Sequence, residues 1–343
     1  MSATEWLGRA IYRAPRERTR CPACGSSGLD ALALHELPAA LDGRRTGLVS
    51  GCEDCGLVFV NPPPSEEALA AMYGPDGEWA VGRKDEDAAP RTETRGSGRW
   101  PRMFDPIRSE IDVTRPPPGA SVLDFGCGRG KFLDVLEACG WQTFGIEPAT
   151  DVAFRRHRRL HAIPNGPAFD LVIVNHVLEH VTNPLALLRQ FAAAARPGAH
   201  LLVGVPRLDT LPLHRDLRYV ISRVHICAYT SVCMEGLLAR AGWKMVETPS
   251  DEIVIAGGRR TSARLRVLAR LAPGTIAVPQ RPLDAARRAL KGYWQDEAPR
   301  SVSESLSRAG AVRLAARATE SRRQIRQALK MVRARLMSAG AKG

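Results

Sequence analysis

Between residues 119 and 257, short apolar runs alternate with helical ones, and no other feature of the chain constrains its fold as tightly. SVLDF (121–125) is an apolar strand. GCGRG turns out of it into the helical run KFLDVLEAC, which Gly140 closes. QTFGIE (142–147) is a second strand. PATDVAFRRHRR reads as a helix with Pro148 at or near its first position, and LHAI (160–163) as a short third strand. FDLVIVNH (169–176) is a buried strand, followed by the helix NPLALLRQFAAAAR and the strand HLLVGVP (200–206). TSVCMEGLLARAGW is a helix behind a Ser/Thr cap. WKMVETP and DEIVIAG close the region as two strands, antiparallel because their connection is short. Repeated strand–helix units of this kind build an α/β fold, a doubly wound, Rossmann-like parallel sheet covered on both faces.

The turn after the first strand carries Asp124, Gly126, Gly128 and Gly130 in a D-x-G-x-G-x-G spacing. A dinucleotide-type G-x-G-x-x-G would need glycine at 131, where Lys131 stands. The loop therefore suits a ligand that offers the backbone a nucleoside and an amino-acid tail rather than a pyrophosphate. Glycines let the chain pass beneath such a ligand without a Cβ clash. Seventeen residues beyond Gly130, Glu147 ends the second strand, where a carboxylate can accept from both ribose hydroxyls. Cys127 in the loop and Pro148 after Glu147 flank these candidate ligand-facing residues.

Eight cysteines occupy positions 21, 24, 52, 55, 127, 139, 227 and 233. The first four form two C-x-x-C pairs. Two residues between thiolates let one tight turn aim both sulfurs at one ion, and Gly25 and Gly56 follow where such a turn needs positive φ. In a reducing compartment the pattern points to structural Zn²⁺ held by Cys21, Cys24, Cys52 and Cys55. The other four cysteines lie in apolar stretches and read as core or loop thiols. The chain thus divides into a zinc ribbon-like module (1–60) and a connector with short helices (61–118), one of them beginning in NPPPSEEALAAMY. The alternating domain (119–257) and a basic, mainly helical C-terminal region (258–343) follow.

VLDFGCGRGKFL, GIEP, FDLVIVNHVLEHV, RPGAHLLVGVP and HICAYTSVCMEGLLARAGW resemble the successive motifs of class I S-adenosylmethionine-dependent methyltransferases. CPACG…GCEDCGLVFVNPPPSEEALAAMY resembles the zinc-binding N-terminal module of one branch of these enzymes, many of them associated with polysaccharide, sugar or small-molecule modification. The resemblance implies a seven-stranded sheet with its last strand antiparallel, methyl-transfer activity and S-adenosylmethionine as cofactor. It implies that Asp124, Gly126, Gly128 and Gly130 surround the methionine part and that Glu147 binds the ribose. Asn175 and His176 would border the cofactor at the end of strand four. The family usually places an acid after strand three, near the adenine amino group. PNGP (164–167) has none, which leaves Asn165 as the candidate partner.

Methyl transfer is an in-line displacement, so the protein supplies alignment and, for a hydroxyl acceptor, a base. The candidates are His176, Glu179, His180, His225 and Tyr229. His225 and Tyr229 precede the last helix, in a loop expected over the cofactor end of the sheet, and His225 is the favoured base or acceptor-orienting group. Glu179 and His180 match the family's L-E-H step, which more often packs or orients the loop. His176, Glu179 and His180 also fall at i, i+3 and i+4, one face of a helical turn, which is a second possible metal arrangement. Ubiquinone-pathway O-methyltransferases and small-RNA 3′-end methyltransferases carry a similar E-x-x-E-H run that binds a divalent ion. His176 stands here in place of its first Glu.

The formal charge of +13 is unevenly spread. Residues 258–343 hold 20 Lys+Arg and 5 Asp+Glu, a net of +15, and residues 1–257 hold 29 and 31, a net of −2. Ile325, Leu329, Val332 and Leu336 recur at helical spacing within the basic region. This seam suits docking on the chain's own domain or a homodimer contact, and its basic flanks suit an anionic surface, an anionic acceptor carrier or RNA. Only Tyr293 and Trp294 supply aromatic rings there, which counts against a base-stacking binder of single strands. No signal-type or membrane-spanning apolar run occurs, so a soluble, cytoplasmic protein is expected. The reading that absorbs most of the sequence is methyl transfer to a sugar, polysaccharide precursor or other small molecule. An RNA methyltransferase using the basic tail, and a non-catalytic zinc-containing scaffold on a degenerate fold, stay open beside it.

Overall fold

A computed structural model of the chain describes residues 19–32, 48–63, 111–148, 157–214, 217–222, 224–247, 253–254, 260–261 and 264–295. Cys21 and Cys52 open two turns of the same kind. The amides of Gly25 and Gly56 donate back to the Cys21 and Cys52 carbonyls at 3.0 and 2.8 Å, and both glycines take the left-handed φ the turn needs, +77° and +73°. Around them run β1 (Leu29–Leu32), β2 (Leu48–Cys52) and β3 (Val58–Asn61), an antiparallel meander.

The main sheet is built from β4 (Ser121–Phe125), β5 (Gln142–Ile146), β6 (Arg158–Arg159), β7 (Phe169–Asn175) and β8 (Ala195–Pro206). Past β9 (Cys227–Ala228), it adds β10 (Trp243–Glu247) and, after the small β11 (Ile253–Val254) and β12 (Arg260–Thr261) pair, β13 (Arg264–Leu271). Its order is β10-β13-β8-β7-β4-β5-β6, with β13 antiparallel to both neighbours and the links from β8 to β6 parallel. The described helices are α1 (Lys131–Ala138), α2 (Pro184–Ala194), the short α3 (Leu211–His214) and α4 (Leu217–Val220), α5 (Ser231–Arg240) and α6 (Leu283–Gln295).

Each long helix next to the sheet begins where its sequence permits. The Asn183 side chain caps α2 by accepting from the Ala186 amide at 3.0 Å, with Pro184 in the first turn. Thr230 caps α5 through the Cys233 amide at 3.1 Å. Phe132, Leu133 and Leu136 of α1 pack with Val122, Leu171 and Ile173 on one face of the sheet. Leu188 and Phe191 of α2 and Leu237 and Leu238 of α5 pack on the other. Burying each such side chain contributes roughly 1.5–3 kcal/mol. Cys21, Cys52, Cys55, Leu57 and Phe59 belong to that second core, so the cysteine module shares an interior with the sheet.

The seam between them is covalently distant but hydrogen-bonded. β3 pairs antiparallel with β9, matching Val58 to Ala228 and Phe59 to Cys227, and makes the module's sheet four-stranded in the order β1-β2-β3-β9. The Val60 amide extends the ladder to the Ile226 carbonyl at 2.9 Å. α6 closes the far side of the module. A Cβ on Gly51 would lie 2.5 Å from a Leu283 methyl, and Arg287 binds Asp30 at 2.8 Å, Asp284 at 3.2 Å and also Glu53.

Two strands differ from the sequence expectation. The third is Arg158–Arg159, just ahead of LHAI. The antiparallel strand beside β8 is not DEIVIAG but Arg264–Leu271, beyond residue 257 and within the region expected to be mainly helical. RLRVLARL is rich in helix formers. Lying between β8 and β10 it buries Leu265 through Ala269 without a break, so it has no alternation to reveal it. Of DEIVIAG, only Ile253–Val254 forms described strand, paired with Arg260–Thr261. The helix expected in NPPPSEEALAAMY, most of that expected in PATDVAFRRHRR, and the seam from Ile325 to Leu336 lie outside the described residues. Among the described residues no helix is long and apolar enough to cross a membrane.

Candidate active site

The strand order reverses at β4, and the carboxyl ends of β4, β5 and β7 open a crevice there, the usual ligand position of a doubly wound sheet. The glycine loop fills its floor. Gly126, Gly128 and Gly130 have φ of +76°, +53° and +77°. The Gly126 and Cys127 amides donate to the Ile146 carbonyl at 2.8 and 3.2 Å, tying the loop to the end of β5. A Cβ at Gly126 would lie 2.5 Å from a Val177 methyl, whereas one at Gly128 would meet nothing within 4 Å. The first glycine is thus required by packing and the second faces open space.

Glu147 turns back onto this loop, accepting from the Gly128 amide at 2.8 Å. Asp124 lies below it, fully buried, with its Oδ2 lacking a hydrogen-bond partner among the described residues. Burial, reinforced by the charge of Glu147, pushes the Asp124 carboxyl up to about 8. Burial first, and then Asp124 and Glu147, push the Cys127 thiol up as well. Two carboxyls side by side, one with an orphaned oxygen, make a site that wants hydrogen-bond donors and positive charge. Beyond them is an open cleft of 720 Å³ lined by Phe125, Ile146, Glu147, Pro148, Leu160 and His161, among others. Its polar lining also includes Arg159 and Gln190, which sequence reasoning did not single out. Gln190 is an exposed residue of α2 whose position carries no local signal. Asn165 is not part of this lining.

The other wall is the end of β7. Asn175 folds over Gly204, where a Cβ would lie 2.2 Å from its Oδ1. His176 follows with φ +56°, its amide donating to the Gly204 carbonyl at 2.7 Å. Its Nδ1 stands 2.9 Å from Oε1 of Glu179, in the 3-10 turn Leu178–His180. Glu179 is wholly buried and its Oε2 has no partner among the described residues. Burial pushes this carboxyl up, but hydrogen bonding to His176 and the positive potential of His176, His180 and His225 outweigh burial and hold it below the ordinary glutamate range. Burial likewise lowers His180. His180 and His225 meet edge to face at 4.8 Å, with their Nδ1 atoms directed at the carbonyls of Val224 (2.7 Å) and Tyr219 (2.6 Å).

Four of the five candidate bases read from the sequence therefore gather at one wall. Glu179, His180 and His225 bring ligand-type atoms within 4.8 Å of one another, while His176 stands apart from that trio and bonds Glu179. Tyr229 is placed differently. Its ring is fully buried and its hydroxyl donates to the Leu178 carbonyl at 2.7 Å, where it props the 3-10 turn from beneath.

The four module cysteines converge as their spacing requires. Their sulfurs all lie within 4.8 Å of one another, with Cys21–Cys55 at 3.6 Å and Cys24–Cys52 at 3.5 Å. Hydrogen bonding from Cys21 leads the effects that hold Cys24 below the ordinary thiol range and bring Cys52 down to about 7. Four thiols at this separation match the donor set of a tetrahedral soft-metal site.

Residues 100–248 match the family model described as a methyltransferase domain. A ubiquinone biosynthesis O-methyltransferase from Xanthomonas axonopodis pv. citri is 30% identical over 120 residues, which are 29% of this chain and 49% of the relative. An uncharacterized 37.1 kDa protein in transposon TN4556 of Streptomyces fradiae is 28% identical over 149 residues, covering 38% of this chain and 43% of its own. The chain spans about half the length of the curated relatives it matches. Among solved structures, Burkholderia thailandensis 1,6-didemethyltoxoflavin-N1-methyltransferase, with 1,6-didemethyltoxoflavin and S-adenosylhomocysteine bound, is 18% identical. It covers 65% of this chain and 96% of its own, with a TM-score of 0.37. The match takes in the glycine loop, Glu147 and six of the seven strands of the sheet, so residues 100–248 form a methyltransferase domain.

Proposed function

We propose that the protein transfers a methyl group from S-adenosylmethionine to a hydroxyl of a small molecule, a sugar or a comparable natural-product intermediate. The observation that carries this reading is the left-handed glycine loop facing Glu147 and the donor-hungry Asp124. The cofactor's ammonium and ribose hydroxyls are donors of the kind the Asp124 carboxyl lacks and Glu147 can accept from. When bound, S-adenosylmethionine supplies an electrophilic methyl on a sulfonium. The chain's own part is to hold and exclude. Gly128 lets backbone approach the ligand, Glu147 accepts hydroxyl hydrogens, and Phe125, Ile146 and Leu160 give the cleft its apolar lining. The acceptor would enter on the histidine side, past the end of β7. The O-methyltransferases among the relatives support a small-molecule acceptor, and the histidine cluster supports one whose proton must be removed.

Within the same reading, Cys21, Cys24, Cys52 and Cys55 hold one structural zinc. Calorimetric titration tests the cofactor half, with binding of S-adenosylmethionine and S-adenosylhomocysteine expected in the micromolar range typical of enzyme ligands. No heat at millimolar ligand would sink it. Release of S-adenosylhomocysteine on mixing with panels of phenols, sugars and RNA tests the acceptor half, and turnover confined to RNA would replace it.

A further inference from the structure

We propose that His176 is the general base, held and charged-balanced by Glu179. This rests on the methyltransferase reading above and names the residue that takes the acceptor's proton. Sequence reasoning favoured His225 for that role and left His176 beside the cofactor. The geometry points elsewhere for three reasons.

The first is tautomer control. Glu179 is held as a carboxylate, so the 2.9 Å contact requires a hydrogen on His176 Nδ1, which leaves a lone pair on Nε2. His180 and His225 direct their Nδ1 atoms at neutral backbone carbonyls instead. A carboxylate stabilises the imidazolium formed on proton uptake far better than a carbonyl does. The second is access. The His176 side chain is 29% exposed, that of His180 6%, and that of Glu179 0%. Of His176 and His180, His176 is thus the more open, and it is the one hydrogen-bonded to the buried anion. The third is position and backbone conformation. Val177, the next residue, is the one packed against Gly126 of the cofactor loop. His176 itself sits at φ +56°, a left-handed conformation that few residues other than glycine, asparagine, aspartate and histidine adopt.

In the step so assigned, the acceptor O–H gives its proton to Nε2 as its oxygen bonds to the methyl carbon. The carbon–sulfur bond breaks with its electron pair leaving on sulfur, and S-adenosylhomocysteine is the second product. The positive charge gained by His176 is offset by Glu179, which stays ionised and acts as a positioning residue.

The test needs no identified acceptor for its first arm. In protein labelled with ¹⁵N-histidine, long-range proton–nitrogen spectra near neutral pH should show His176 as the Nδ1–H tautomer, and Glu179→Gln should lose that preference. Diethylpyrocarbonate should modify His176 faster than His180 or His225, as read by peptide mass spectrometry. For any acceptor turned over in the panel, His176→Gly should lower turnover about 100-fold or more while leaving S-adenosylhomocysteine affinity within about threefold. Added imidazole should restore part of the lost rate. Glycine suits the local φ, and His176→Gln, whose amide can still donate to Glu179, serves as a second variant should the first fold poorly. An Nε2–H tautomer, modification led by His225, or turnover within about threefold of the parent in His176→Gln would overturn the assignment. Failure to bind S-adenosylhomocysteine would instead overturn the methyltransferase reading.

Discussion

Asp124 gives the sharpest quantitative expectation. In the unfolded chain its carboxyl ionises near 3.8, and in the folded protein burial and Glu147 raise that to about 8. Between these values the folded state holds a proton that the unfolded state has lost. Stability therefore falls as pH rises, by about 1.36 kcal/mol per pH unit from this group alone. From pH 5 to pH 7 the loss is about 2.7 kcal/mol. Asp124→Asn removes the titration but keeps the shape, so its stability curve should lack that slope, while every other group cancels in the comparison. The assay is urea unfolding of both proteins, without cofactor, at pH 5, 6 and 7. The variant should gain on the parent by more than about 1 kcal/mol per unit. Parallel curves across that range would refute the argument, because they would mean that Asp124 ionises normally in the fold.

Three other expectations are as direct. Gly126→Ala meets both a left-handed φ and the Val177 methyl, and should cost about 1–3 kcal/mol of stability and at least about tenfold in affinity for S-adenosylhomocysteine, measured by melting and calorimetry. Metal analysis should find about one zinc per chain, and Cys52→Ser or prolonged chelation should remove it and lower the melting temperature, since Cys52 lies in the shared core. Arg287→Ala, despite its several carboxylate partners, should cost no more than about 1 kcal/mol, because the pairs are solvent-screened; its side chain is 37% exposed.

What could be read in the sequence follows from how local each signal is. The glycine loop, Glu147 and the two cysteine turns declare themselves because positive-φ glycines and fixed ligand spacings act over a few residues. β7 declared itself through LVIV, an unbroken apolar run rich in β-branched residues. β13 did not, because full burial erased its alternation and Arg266 went into the interior with its neighbours. The histidine wall of the candidate site was legible only as a list of residues. The turn that sets His176 against Glu179 and buries the Tyr229 hydroxyl against Leu178 depends on contacts up to 51 positions apart. Spacing alone placed His176, Glu179 and His180 on one face. The fold instead groups Glu179 and His180 with His225, 45 positions after His180.

The pairing of β3 with β9 has a consequence for how such proteins can be recombined. The strand that completes the N-terminal module's sheet begins two residues after His225, so the last rung of that sheet also anchors the loop that carries His225. A crossover placed between the module and the domain would leave a recipient domain with an unpaired edge at Cys227–Ala228 and a donor module without its fourth strand. Chimeras that exchange only the front end should therefore misassemble unless the segment around Ile226–Ala228 travels with it. The two parts of this chain share a sheet and a core and form one structural unit.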